Sequence, residues 1–123
     1  MTSFDKKTPI YQQLADSIRQ DILSGALKEG EAIPSVRQIS VDYKLNPQTV
    51  LNATQVLIQE GLLEKRRGLG MFVQKSAKKQ LNTAASERFK NETIQLLVSE
   101  ARLLEISQKE LIDLIQKQYG EEK

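Results

Sequence analysis

The fold of this chain is decided by residues 35–61, which have the sequence SVRQISVDYKLNPQTVLNATQVLIQEG. The serine that opens this stretch is followed three positions later by a glutamine, the capping-box pattern that begins a helix. Asn46 and Pro47 repeat a cap-and-proline start a few residues later, in which the Asn46 side chain can satisfy the N–H of Thr49. We therefore predict two helices, over 36–43 and from 47 to about 60, joined by a tight turn. Such a pair, whose second helix begins with polar residues, is typical of a helix-turn-helix.

The residues before this stretch predict another helix. Thr8 offers a capping hydroxyl, and Pro9 suits the first helical position. An apolar side chain then recurs every fourth residue until Gly25 ends the pattern. The recurring residues are Ile10, Leu14, Ile18 and Ile22. The connector that follows has room for one short extended pairing at Ala32-Ile33.

A β-hairpin is predicted after the helix pair. Residues 62–66 and 71–74 are short strand-like runs on either side of the basic, glycine-containing turn 67–70. A hairpin appended to three helices is a wing. The predicted fold class is therefore mostly α with a small β-hairpin wing, a winged helix-turn-helix DNA-binding domain over residues 8–75 plus a C-terminal two-helix dimerisation segment.

The remainder of the chain predicts a linker and two helices. Residues 76–84 are polar and show no periodicity, so we predict a linker there. Residues 85–119 are predicted to be a helical dimerisation segment, in which a second capping box at Ser107 begins the last helix. Two helices of this length display more apolar side chain than they can bury in themselves. The apolar residues expected at the dimer interface are Ile94, Leu97, Ala101, Leu104, Leu111 and Ile115.

Composition excludes several function classes. The chain has no Cys and no His, so it lacks disulfides, thiolate zinc sites and imidazole acid–base groups. We also find no nucleophile motif and no phosphate-cradling glycine loop, and expect no enzyme, no cofactor and no metal site. The chain's start lacks the apolar stretch of a secretory signal, and no run approaches membrane-spanning length. We expect a cytoplasmic protein with no membrane partner.

Charge is divided unevenly along the chain. Residues 1–80 carry 12 Lys and Arg against 8 Asp and Glu, whereas residues 81–123 carry 6 against 8. A basic first part suits a polyanion such as double-stranded DNA, and an acidic tail suits a protein partner. Solvated surface charge could produce the same division by chance.

The start of the second helix of the pair carries the candidate base-reading residues. Asn46, Gln48, Thr49 and Asn52, with Pro47 among them, lie off the apolar face of that helix, which Val50, Ala53 and Leu57 form. Asn and Gln can bond bidentately to adenine in the major groove, and Thr offers a hydroxyl and a methyl group. The other interpretation is that these residues are helix caps and a solvated face.

Two further sets of residues are candidate DNA contacts. Arg37 lies in the first turn of its helix, where a cation opposes the helix dipole. A phosphate or a guanine edge would explain it, although an ordinary surface arginine is an equal alternative. The hairpin turn brings Arg66, Arg67, Gly68 and Leu69 to a wing tip, which would place an arginine over the minor groove.

Taken together, these motifs resemble the GntR family of bacterial regulators. The resemblance covers residues 8–74 and rests on several separate stretches in order. They are 9–14 (PIYQQL), 22–27 (ILSGAL), 33–39 (IPSVRQI), 45–50 (LNPQTV), 60–63 (EGLL) and 66–73 (RRGLGMFV). The resemblance implies operator binding as a dimer, with DNA contacts from Arg37, residues 46–49 and the wing-tip pair Arg67 and Gly68.

The chain departs from the family pattern at three positions and in its length. Leu51, Asn52 and Thr54 stand where relatives often have Ser, Arg and Tyr, so the resemblance leaves a contact at residue 52 and the operator sequence open. Only 49 residues follow Gln74, too few for the large effector-binding domain of other members. A short two-helix tail resembles the YtrA-like subgroup, whose tails dimerise.

Two questions stay open from the sequence. One alternative function is a winged-helix protein-interaction module that never touches DNA, for which the low net charge of +2 and a leucine at the wing tip are the best support. The sequence also leaves open whether a small-molecule effector acts on the chain. Such a ligand would have to bind between the tail helices or at the hinge.

Overall fold

Six α-helices, one π-helical turn and a two-stranded sheet make up the part of the chain that the computed structural model describes, Phe4 and residues 6–121. In chain order they are α1 Ile10–Ser24, α2 Val36–Tyr43, α3 Pro47–Gln59, β1 Leu63–Arg66, β2 Gly70–Val73, α4 Ala77–Arg88, the π-helical turn Phe89–Thr93, α5 Ile94–Leu103 and α6 Gln108–Glu121. The chain divides into two compact units, one up to Thr83 and one from Ala84 onward.

Helix α1 begins one residue later than the sequence predicts. Pro9 is the N-cap, with an extended ψ of 140° and no side-chain cap hydrogen bond, so the prediction of a capping Thr8 is wrong. The Pro9 carbonyl instead accepts hydrogen bonds from the backbone N–H groups of Gln12 and Gln13. Gly25 ends the helix as predicted, in the left-handed conformation with φ of 88°, which a glycine adopts without steric cost.

The core of the first unit lies between the three N-terminal helices and the hairpin. Val50, Ala53 and Leu57, the predicted inner face of α3, are fully buried. They pack in one cluster with the apolar stripe of α1, with Ile39 of α2 and with Leu63 and Val73 of the strands. The buried apolar stripe of each helix therefore has a partner, and the opposite faces remain exposed.

The hairpin is antiparallel, with Leu63 opposite Val73 and Arg66 opposite Gly70. The connector before α2 adds the predicted extended pairing, because Ala32 forms a bridge with Phe72 and the Ile33 N–H donates to the Met71 carbonyl at 2.9 Å. The wing is thereby joined to the helices on one edge.

The segment 76–84, predicted as a linker, is helical from Ala77 onward, so that prediction is wrong in its secondary structure. Ala77 is fully buried in the core and Leu81 packs against it. The Gln80 side chain donates a hydrogen bond of 3.1 Å to the Glu60 carbonyl just after α3. Two apolar residues one turn apart anchor the helix, too few to give a visible periodicity.

The second unit holds the end of α4, the π-helical turn, α5 and α6. Glu105 lies in the left-handed region with φ of 60°, and the following Ile106 N–H donates to the Ala101 carbonyl at 2.9 Å. The Ser107 hydroxyl accepts from the Glu110 N–H at 3.1 Å, which confirms the predicted capping interaction. No helix within the described residues is long and apolar enough to cross a membrane.

Candidate nucleic-acid interface

The turn between α2 and α3 is closed by hydrogen bonds of its own. Lys44 adopts the left-handed conformation, with φ of 56°. The Leu45 N–H donates to the Ser40 carbonyl at 3.0 Å, and the Ser40 hydroxyl donates to the Leu45 carbonyl. Because the two helices are tied across so short a turn, the start of α3 has a fixed position relative to α2.

The cap of α3 differs in detail from its prediction. The Asn46 side-chain oxygen accepts from the Gln48 N–H at 2.8 Å, not from the Thr49 N–H, which the sequence predicted. The Thr49 N–H is instead satisfied by the Asn46 carbonyl at 3.0 Å. Pro47 occupies the first helical position, where its missing N–H leaves no acceptor unpaired. The side chain of Asn46 is therefore used to begin the helix.

The exposed face of α3 is uncharged and begins with a pair of amides. The Gln48 side-chain NH2 donates to the Asn52 side-chain oxygen at 3.0 Å, and both residues are exposed. Leu51 lies on the same side of the helix and is 41% exposed. Thr49 is half-buried. Helix α3 thus presents hydrogen-bonding groups and one leucine to its surroundings.

Arg37 is exposed in the first turn of α2 and has no hydrogen bond or ion pair with any residue the structure describes. The Ser35 hydroxyl accepts from the Gln38 N–H at 3.1 Å, as predicted. The Gln38 side chain reaches forward to Asp42 at 2.8 Å rather than back to Ser35. The guanidinium of Arg37 is therefore available for an external anion.

The two arginines of the wing differ in their surroundings. The Arg66 Nε donates to a Glu64 carboxylate oxygen at 3.2 Å, and its guanidinium carbon lies 4.2 Å from the centre of the Phe72 ring. Arg67 is exposed and has neither kind of contact with the described residues. Gly68, next in the turn, has φ of 77°, and Leu69 is 71% exposed. Only Arg67 offers an unengaged cation at the wing tip.

One arginine in the first unit has a structural role that the sequence did not predict. Arg19 of α1 holds both carboxylate oxygens of Glu60, at 3.0 and 2.7 Å, and also pairs with Asp16. Burial disfavours the charged form of Arg19, but the carboxylates of Glu60 and Asp16 favour it more strongly. The pKa of Arg19 is therefore raised above its usual value. Because Arg19 and Glu60 are 41 positions apart, no local pattern indicates this pair. It links α1 to the end of α3.

A second candidate site is an apolar groove between α5 and α6. Its volume is about 390 Å³. Of the predicted dimerisation residues, Leu97, Ala101, Leu104, Leu111 and Ile115 line it, together with Ile106, Leu114 and Tyr119. Leu104 is 67% exposed, Ile94 lies outside the groove at 39%, and Ala101 is buried. Leu103 and Leu96 of α5, which the sequence did not single out, are 83% and 61% exposed outside the groove.

The part of the chain that forms the helix-turn-helix and the wing matches the model of a known protein family. The family model described as "Bacterial regulatory proteins, gntR family" matches residues 10–73. The chain belongs to the GntR family. Its model ends at the last strand of the wing, so it covers α1 to β2 and leaves the tail unmatched. The predicted mostly helical fold with a hairpin wing and C-terminal helices is confirmed, and so is the predicted family.

Individual relatives of the GntR family extend the comparison into the tail. The "HTH-type transcriptional repressor YtrA" of Bacillus subtilis is 34% identical over 91 residues, which are 74% of this chain and 70% of that protein. A solved GntR family transcriptional regulator from Listeria monocytogenes is 25% identical, with a TM-score of 0.75 over 93% of this chain and 98% of that one. The resemblance to YtrA is thereby confirmed.

A third comparison includes DNA. The DNA-binding domain of AraR, solved in complex with operator ORX1, has 25% sequence identity and a TM-score of 0.55, over 58% of this chain and 92% of that one. Together with the family, this likeness identifies the function as that of a DNA-binding transcription regulator. Within the described range, no group of three or more acidic side chains could hold a metal ion.

Proposed function

We propose that this chain is a transcriptional repressor that binds a palindromic operator as a homodimer. The observation that carries the proposal is the set of unengaged polar groups on α2, α3 and the wing. Arg37 and Arg67 have no described partner, and Gln48 is exposed at the start of α3. Cations without internal partners on two elements of one winged helix, α2 and the wing, suit a polyanionic partner.

Each group has a role that its chemistry supports. The start of α3 enters the major groove, as the second helix of a helix-turn-helix does. Gln48, Thr49 and Asn52 contact base edges there. Arg37 and Arg67 contact phosphates or groove edges, while Arg66 supports the wing through Glu64 and Phe72. The assignment departs from the sequence analysis by moving Arg66 from the DNA to the hairpin's own structure.

The exposed apolar surface of the tail supports the homodimer. Leu104, Leu103, Ile115 and Tyr119 are each at least 39% exposed on α5, its C-cap and α6, and the lining of the groove between these helices is mostly apolar, with Glu100 and Gln118 as its polar members. Patches of this kind mark interfaces, and a two-fold dimer matches the two half-sites of a palindrome. The occupant we propose for the groove is therefore the tail of a second copy.

The repressor role rests on the relatives. YtrA of Bacillus subtilis is named a transcriptional repressor, and a repressor needs only to occupy its operator. Leu69 and Val41, 71% and 65% exposed, favour the second candidate, a winged helix that binds a protein. An apolar side chain at a wing tip is compatible with either partner.

Sedimentation and DNA titration of the full chain test the proposal together. We expect the chain to be a dimer at micromolar concentration and to bind tightly to the DNA upstream of its own gene. Leu104→Glu should give a monomer that binds the same DNA more weakly, because a carboxylate would be buried at the interface. Gln95→Glu, at an exposed polar position of α5, should remain dimeric.

Three outcomes would overturn parts of the proposal. A wild-type chain that sediments as a monomer removes the homodimer, and uptake of an apolar dye by that monomer would assign the groove to a small-molecule effector. If the dimer binds the upstream DNA no better than a random duplex, the proposal of a specific operator is wrong. Capture of a protein partner that Leu69→Ser abolishes would then favour the protein-interaction module.

A further inference from the structure

Helix α3 contains no charged residue. Its sequence from Pro47 to Gln59 is PQTVLNATQVLIQ. The commonest specific contact to guanine is a bidentate one from Arg or Lys in the major groove. Since the helix that enters the groove offers neither side chain, it cannot make that contact. Base readout by α3 must use neutral hydrogen bonds and apolar contacts.

The Gln48–Asn52 pair has a fixed hydrogen-bonding pattern. One amide hydrogen bond of 3.0 Å joins the two side chains. If either amide donates to the other, the pair retains one free amide oxygen and one free NH2 group. Adenine presents an N6 donor beside an N7 acceptor in the major groove, whereas guanine presents two acceptors and cytosine one donor. The pair is therefore complementary to the edge of adenine.

Leu51 is complementary to an apolar group on the base edges. It is 41% exposed on the outer side of α3, and it lies three residues after Gln48, which places the two on one helix face. An exposed leucine in the major groove can contact only one apolar group on the base edges, the C5-methyl group of thymine. Burial of that methyl group against Leu51 would remove apolar surface of both the protein and the DNA from water.

We propose that α3 reads A·T base pairs, with the Gln48–Asn52 pair on adenine and Leu51 on a thymine methyl group. This inference rests on the proposed function, because α3 must lie in the major groove of an operator. It names the chemistry of that operator under α3. Guanine contacts in the same site would come from Arg37 or Arg67.

The first test is a double-mutant cycle that combines a substitution in the protein with a base replacement in the DNA. The full chain selects its preferred duplex from a randomised library, and each thymine of that duplex is then replaced by uracil, which lacks only the methyl group. We expect at least one thymine in each half-site whose replacement weakens wild-type binding by about fourfold, the worth of one buried methyl group. Leu51→Ala should bind the thymine and uracil duplexes equally.

The second test addresses the amide pair. Replacement of adenine by 7-deazaadenine removes only the N7 acceptor. We expect about a tenfold loss for the wild type at one adenine in each half-site, in the range of a good base contact. Gln48→Ala and Asn52→Ala should each lose that sensitivity. Gln59→Ala, exposed at the other end of α3, is the matched control and should respond as the wild type does.

The outcomes separate this inference from the proposed function. A chain that selects no duplex contradicts the proposed function itself. A chain that selects a duplex but tolerates uracil and 7-deazaadenine at every position is an operator-binding protein whose α3 does not read A·T pairs, and it overturns the inference. Equal thymine-to-uracil losses in the wild type and Leu51→Ala would likewise remove Leu51 from the readout. A circular dichroism melt of each variant verifies that it folds.

Discussion

Removal of Arg67 from the wing should flatten the salt dependence of operator binding. Arg67 has no partner among the described residues, whereas its neighbour Arg66 is held by Glu64 at 3.2 Å and by the Phe72 ring. The two arginines are adjacent in sequence, and both are exposed. They therefore form a matched pair in which only the internal contacts differ.

The expected magnitude follows from counterion release. Each phosphate contact contributes a slope of about −0.9 to log K against log salt. Arg67→Ala should remove one contact from each subunit, so the slope of a dimer should change by about 1.8. Arg66→Ala should change the slope by less and should instead lower stability by about 0.5–1 kcal/mol, the value of an exposed cation–π contact.

Fluorescence anisotropy of a labelled operator duplex, titrated between about 50 and about 200 mM salt, measures the slope. A thermal melt of each variant measures stability. Equal slopes for wild type and Arg67→Ala would refute the placement of this side chain at a phosphate. A larger slope change for Arg66→Ala than for Arg67→Ala would show that the internal contacts of Arg66 open when DNA binds.

Three predictions concern stability and are measured by urea unfolding with the wild type as reference. Asn46→Ala should cost about 1 kcal/mol, because the first N–H groups of α3 lose their cap; an unchanged midpoint would mean that Pro47 alone begins the helix. Arg19→Met should cost about 1 kcal/mol after solvent screening, by leaving Glu60 unpaired, and Glu60→Gln should cost no more. Glu105→Gly should gain up to about 1 kcal/mol, because glycine adopts positive φ without strain; a loss would contradict this.

Local sequence signals determined most of the first unit. The capping serine of α2 and the Asn46-Pro47 start of α3 fix helix ends through contacts within three residues, so those ends were predictable. The inner face of α3 followed from the 3.6-residue period for the same reason. The bounds of α2 agree with the prediction, and α3 ends one residue earlier than predicted.

Features that depend on distant contacts were not predictable. Helix α4 forms because Ala77 and Leu81 dock on a core built by earlier elements, and two residues give no periodicity. The Arg19–Glu60 pair joins α1 to the end of α3 across 41 positions. The engagement of Arg66 depends on strand register, which places it near Phe72 of the opposite strand.

The candidate site was predictable in its residue types and not in its pairings. Asn and Gln at the start of a helix indicated base readout, but the partner of the Asn46 side chain depends on its rotamer. The link between Gln48 and Asn52 follows from their i, i+4 spacing, a signal that the sequence itself carries. In the sequence Leu51 is only a departure from the family pattern, and its exposure in the structure gives it a role.

Binding stoichiometry and specificity, measured in one titration, test the central claim most directly. The full chain is titrated onto its selected duplex and onto a scrambled duplex of equal length at one salt concentration. A dimeric operator-binding protein should saturate at two chains per selected duplex and prefer it by at least about 10³-fold. Equal affinity for the two duplexes, or saturation at one chain per duplex, would contradict the account.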